Sequence, residues 1–188
     1  MKRLLIPMLA TMVLAGSAGA QMAQAEPRTD AEKVINAMTA APASIAANAT
    51  IKDWPAAGSS EFRTLRQGTN GWVCLPSFTG TEGNDPQCLD ETWVGFIQAY
   101  VTKQAPRIQR LGVGYMVAPG GAYGSNTDPY AAGATADNQW ALHGPHVMLA
   151  VPDARALQGL PTRHDNGGPW VMWAGTPYAH IMIPLGTH

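Results

Sequence analysis

Between His143 and Pro184 the chain is a series of short apolar runs, each cut at its ends by glycine or proline. Gly144-Pro145-His146-Val147-Met148-Leu149-Ala150 is echoed by Gly168-Pro169-Trp170-Val171-Met172-Trp173-Ala174. His180-Ile181-Met182-Ile183-Pro184 repeats the His-apolar-Met order of His146-Val147-Met148. Apolar runs this short, bounded in this way, are the pattern of buried strands. Side chains alternate along a strand, so His146 shares a face with Met148, and His180 with Met182.

The remainder of the chain supplies partners for these strands. Thr29-Asp30 opens a helix that carries Val34, Ile35, Ala37 and Met38 on one face and ends at Ala41-Pro42. Glu61 to Arg66 alternates polar and apolar residues, Asn70-Gly71 follows, and Trp72 to Leu75 returns. That pattern predicts a hairpin over Phe62 to Leu75. Asp90-Glu91 opens a second helix, with Trp93, Phe96, Ile97 and Tyr100 at helical spacing as core residues and Pro106 as its stop. Leu111 to Val117 is a further strand. Its Gly112-x-Gly114 is no dinucleotide turn, because no third glycine follows and no helix opens. Ala118 to Asn138 is rich in Gly, Ala, Ser and Asn, and a loop of that length inside a domain is expected to cover something. Asp153 to Gln158 makes one or two helical turns. Trp170 to Trp173 and Ala179 to Ile183 form a last hairpin across Gly175-Thr176-Pro177. The predicted architecture is α+β: an antiparallel sheet of about six strands, two main helices on one of its faces, and one domain over residues 26–188.

Residues 1–25 have the features of a signal peptide. Lys2 and Arg3 precede an apolar run from Leu4 to Gly16, and Ala18-Gly19-Ala20 and Ala23-Gln24-Ala25 are cleavage patterns. A periplasmic or secreted protein with no membrane span is therefore expected. In an oxidising compartment Cys74 and Cys88 pair as a disulfide, and closing a loop of about 15 residues contributes about 3 kcal/mol. Past residue 25, ten Lys and Arg face thirteen Asp and Glu, a net charge of −3. That balance supplies no electrostatic footprint for nucleic acid or anionic lipid.

No Gly-x-Ser-x-Gly elbow, phosphate loop or His-Glu-x-x-His occurs, so the signature-bearing enzyme classes lose weight. Three chemistries remain. His143, His146 and His180 with Met148 and Met182 would suit a copper ion, or zinc through the imidazoles alone. His146 or His180 beside Asp128 would suit a non-covalent hydrolase or lyase acting on a small molecule. Asn126, Asp128 and Tyr130 of the long loop, with Trp140, Trp173 and Tyr178, would line a cleft for a small organic ligand. The leading expectation is binding of a small ligand or metal ion between the 118–138 loop and the strands carrying His146 and His180. The alternative is the hydrolase or lyase.

The segments GTNGWVCLP, GNDPQCLDE, SNTDPYA, GPHVML and GGPWVMWAGTPYAHIMIP resemble a group of exported bacterial proteins with no assigned activity. The resemblance covers most of the chain past the leader. It implies a shared fold and carries over no activity, cofactor or catalytic residue.

Overall fold

The computed structural model describes residues 26–78, 80 and 82–186, so the predicted leader lies outside the described residues. The chain opens with helices α1 (Asp30–Met38) and α2 (Ala43–Ala46), followed by strands β1 (Thr50–Lys52), β2 (Thr64–Arg66), β3 (Val73–Leu75), β4 (Gly83–Asn84) and β5 (Gln87–Leu89). Helix α3 (Glu91–Val101) leads to β6 (Gly112–Met116), β7 (Gly121–Ser125), β8 (Trp140–His143) and β9 (His146–Ala150). A 3-10 turn (Ala154–Leu157) precedes β10 (Trp170–Met172) and β11 (His180–Pro184). No helix among the described residues is long and apolar enough to cross a membrane.

The fold is α+β, but its sheet is larger and less regular than predicted. Eight strands lie in the order β10-β11-β9-β6-β5-β3-β1-β2, and a separate three-stranded sheet runs β4-β7-β8. β1 and β3 are parallel, and every other pair is antiparallel. The last hairpin forms in the register Trp170↔Met182, Val171↔Ile181 and Met172↔His180.

The predicted Phe62–Leu75 hairpin does not form. β1 lies between β2 and β3 and pairs with both. The connector from Gln67 to Trp72 has to span two strand spacings, about 10 Å, which a two-residue turn cannot do. It wraps the start of β1 instead. The Thr69 and Asn70 amides donate to the Asn48 carbonyl, and the Asn70 side chain bonds Ile45 O and Trp72 N. Gly68 passes so close that a Cβ there would lie 2.2 Å from the backbone of Ala49 and Thr50. Asn70-Gly71 is a real turn, but it straddles a third strand that the alanine-rich segment before it hides.

The helices cover both faces of the sheet, not one. Cys74 and Leu75 are adjacent, as are Cys88 and Leu89, so each pair points to opposite sides. The alanines of α1 and α2 pack with Ile51 and both cysteines on one side. α3 packs with Leu75, Leu89, Met148 and Met182 on the other. Both long helices carry side-chain caps. Thr29 and Glu32 form a capping box on α1. On α3, Asp90 accepts from the Trp93 amide at 2.9 Å and from the Val113 amide at 2.7 Å, which ties the helix start to β6. Cys74 and Cys88 lie opposite each other on β3 and β5 and are joined by a disulfide.

Trp93 rests on β6 because Gly112 and Gly114 leave room for it. A Cβ at Gly114 would come within 2.8 Å of Met148 Cε and 3.5 Å of Trp93 Cδ1. The Gly-x-Gly is thus a packing groove for an indole. Gly114→Ala is expected to destabilise the fold by about 1–3 kcal/mol through overpacking, measured by urea unfolding. No loss of stability would show that the ends of Met148 and Leu89 make room for the added methyl.

Candidate functional site

The small sheet folds back over the large one at Gly144-Pro145, which links His143 of β8 to His146 of β9. Between the two sheets and the C-terminal half of α3 lies a cleft of about 940 Å3. Its floor is sulfur-rich. Met116, Met148, Met182 and Met172 come from four neighbouring strands and all line it. One wall belongs to the 118–138 segment, which is more ordered than a loop, since β7 lies within it and pairs with β4 and β8.

Tyrosines hold that wall in place. The Tyr130 ring stacks on Tyr100 at 5.0 Å, and Trp173 stacks on Tyr100 at 5.7 Å. The Tyr100 hydroxyl donates to Pro129 O at 2.7 Å. Tyr130 and Tyr178 join their hydroxyls at 2.7 Å, and the pair also reaches the carbonyls of Tyr100 and Gln104. Two hydroxyl protons serve three contacts there, so one of the three is always without a proton of its own. Burial, followed by the bond to Tyr178, raises the pKa of the Tyr130 hydroxyl, which therefore stays protonated.

His180 and His146 adopt the same local arrangement. His180 Nδ1 lies 2.9 Å from Tyr178 O, and His146 Nδ1 lies 2.6 Å from Gly144 O. A carbonyl only accepts, so in each neutral ring Nδ1 carries the proton and Nε2 carries the lone pair. His180 is 1% exposed, and burial pushes its pKa down to about 4. The Tyr178 carbonyl opposes that shift, and His143 adds to it. The His180 ring is enclosed edge-to-face by Trp93 at 5.1 Å, Trp173 at 5.0 Å and Phe96 at 5.8 Å. Its Nε2 has no hydrogen-bond partner among the described residues, and neither has Nε1 of Trp93, itself 1% exposed. Both residues contribute to the cleft lining, and these two nitrogens lie covered beneath its surface.

The predicted metal set lines one cleft, spread along two neighbouring strands and the small sheet. β9 and β11 are neighbours, as copper or zinc binding would need, and Met148 faces Met182 directly. The antiparallel register places His146 opposite Pro184, four residues from His180. The two histidine backbones are therefore offset by roughly 13 Å along the strands, with Met148 and Met182 between them. His143 sits on the other sheet, its ring stacked on Trp170 at 6.0 Å and edge-on to His164 at 5.9 Å. No group of three or more His, Cys, Asp or Glu among the described residues is placed to hold a metal ion.

The acid–base pairing is not assembled at His180, whose bonded nitrogen goes to the Tyr178 carbonyl. Asp128 lines the cleft but accepts from the Tyr130 amide at 2.9 Å, which shapes its own loop. Of the predicted ligand-contacting residues, Asp128, Tyr130, Trp140 and Trp173 line the cleft. Tyr178 stands behind them. Asn126 does not face the cleft either. Its side chain is used up by Gln139 Oε1, Thr162 O and the Trp170 indole. Trp173 has φ of 55°, a left-handed conformation that costs of order 1–3 kcal/mol for a bulky residue. It is held there by bonds from its amide to Asn126 O and from its indole to Ser125 O.

Sequence reasoning missed the role of Trp93, which helical spacing marks only as core. Comparison with known proteins finds no matching family model, no matching curated protein and no matching solved structure.

Proposed function

We propose that this protein binds a small organic molecule in the cleft, through a polar group that both donates and accepts a hydrogen bond at the His180–Trp93 end. The reading is carried by two orphan atoms, a lone-pair acceptor at His180 Nε2 and an N–H donor at Trp93 Nε1, both in fully enclosed rings. Each buried polar atom left unpaired costs about 1–3 kcal/mol, so a hydroxyl or amide that serves both gains that energy on binding. The strained Trp173 at the cleft wall and the methionine floor support the same reading. Strain of this kind collects at binding sites, and thioethers adapt to the shape of a bound ring. A metal ion is less well supported, because the register spreads the candidate ligands along the strands. The Cys74–Cys88 disulfide supports a periplasmic or secreted location for this activity.

A ligand-observed NMR screen of uncharged fragments tests the proposal. The hits are expected to displace the Trp93 indole N–H resonance and to lose binding in a His180→Phe variant. Hits that leave the Trp93 and Trp173 indoles unmoved would place binding elsewhere and refute it.

A further inference from the structure

The charge on the cleft walls is one-sided. Glu82, Asp85 and Asp128 line the cleft, and among the described residues no Lys or Arg does. Lys103 lies 5.3 Å over the Tyr130 ring. Tyr100 already covers one face of that ring, so Lys103 occupies the opposite face, away from the stack. The carboxylate field extends into the site. After burial and the Tyr178 hydroxyl, Asp128 and Asp85 both help raise the pKa of Tyr100 at the centre of the stack. Acidic residues alone would not make a site. Here they surround a floor that independently carries the unpartnered His180 Nε2 and Trp93 Nε1, each in a residue 1% exposed.

Two chemical requirements follow for one ligand. At the buried end, an ammonium cannot accept from Trp93 and a carboxylate cannot donate to His180, whereas a hydroxyl does both. At the open end, carboxylates and aromatic faces attract a cation and repel an anion. The space between them, over Met148 and Met182 and beside Trp173, suits a flat ring. Resting on the ligand-binding reading above, we propose that the ligand is a ring-bearing alcohol or phenol, uncharged or carrying an ammonium group, and that anionic ligands are rejected.

Four related probes separate the requirements by calorimetry on the disulfide-bonded protein: tyramine, phenethylamine, p-cresol and 4-hydroxyphenylacetate. Tyramine is expected to bind most tightly. Phenethylamine, which lacks the hydroxyl, and 4-hydroxyphenylacetate, which reverses the charge, should each be weaker by roughly tenfold or more. Asp128→Asn keeps the oxygen that accepts from the Tyr130 amide and removes only charge. It should shrink the preference for tyramine over p-cresol. Equal binding of tyramine and 4-hydroxyphenylacetate overturns the charge requirement, and equal binding of tyramine and phenethylamine overturns the hydroxyl. If none of the four binds while other fragments displace the Trp93 indole signal, the ligand class is wrong and the cleft reading stands. If the probes bind without displacing that signal, the cleft reading fails too.

Discussion

Asn126→Ala is expected to lower the free energy of unfolding by about 3–5 kcal/mol, the largest effect of any single substitution considered. The side chain is 1% exposed and joins three separate segments. Its amide nitrogen donates to Gln139 Oε1 at 3.0 Å and Thr162 O at 2.8 Å, and its oxygen accepts from the Trp170 indole at 2.8 Å. Its backbone carbonyl also takes the Trp173 amide at 2.8 Å. Truncation removes three partners at once and leaves a void beside β10. Urea unfolding followed by tryptophan fluorescence gives the value. A loss under about 1 kcal/mol would mean that the small sheet is not anchored to β10 through this residue. Because Trp173 is positioned by the same anchor, the variant should also bind cleft ligands more weakly than its residual folded fraction accounts for.

The second large effect is a loss of stability on acidification, caused by His180. An unfolded chain has the ordinary imidazole value near 6.5, and the buried ring is lowered to about 4. Between those values the native state binds fewer protons than the unfolded state, so stability rises with pH across the window. Going the other way, the protein loses stability as pH falls from 6.5 to 4, and below 4 the penalty is complete. The gap of two to three units corresponds to about 3 kcal/mol. Asp30, Glu32, Asp153 and Asp165 are held below the usual carboxylate range by their hydrogen bonds, but they are fully exposed and contribute little in the same limb. Comparing the pH dependence of unfolding with that of His180→Phe isolates the histidine. The two curves should diverge between pH 6.5 and 4, and parallel curves would contradict the buried neutral ring.

What was legible in the chain follows from how local each signal is. The helix start at Thr29-Asp30, the α3 start at Asp90 and the β10–β11 hairpin are written in contiguous residues, and each forms as read. The disulfide follows from two cysteines and their setting. Asn70-Gly71 misled because a turn signal does not state how many strands it spans, and β1 is only three residues long. β7 stayed hidden because Gly121-Ala122-Tyr123-Gly124-Ser125 carries no apolar alternation, and its pairing with β4 and β8 supplies the order instead. At the site, period-two alternation put His146, Met148, His180 and Met182 on one floor. Only register separates the histidines and brings the thioethers together. No sequence pattern marks the unmet hydrogen-bonding capacity of Trp93, since it depends on what surrounds the indole once packed.

The central claim is that His180 presents a neutral lone pair to a ligand hydroxyl, and long-range 1H–15N correlation of the His180 ring measures it directly. The account predicts an Nδ1–H tautomer at pH 7, with Nε2 at the shift of an unprotonated nitrogen that moves on adding tyramine as it accepts a hydrogen bond. An Nε2–H tautomer, or an Nε2 shift unchanged at saturating ligand, would contradict it.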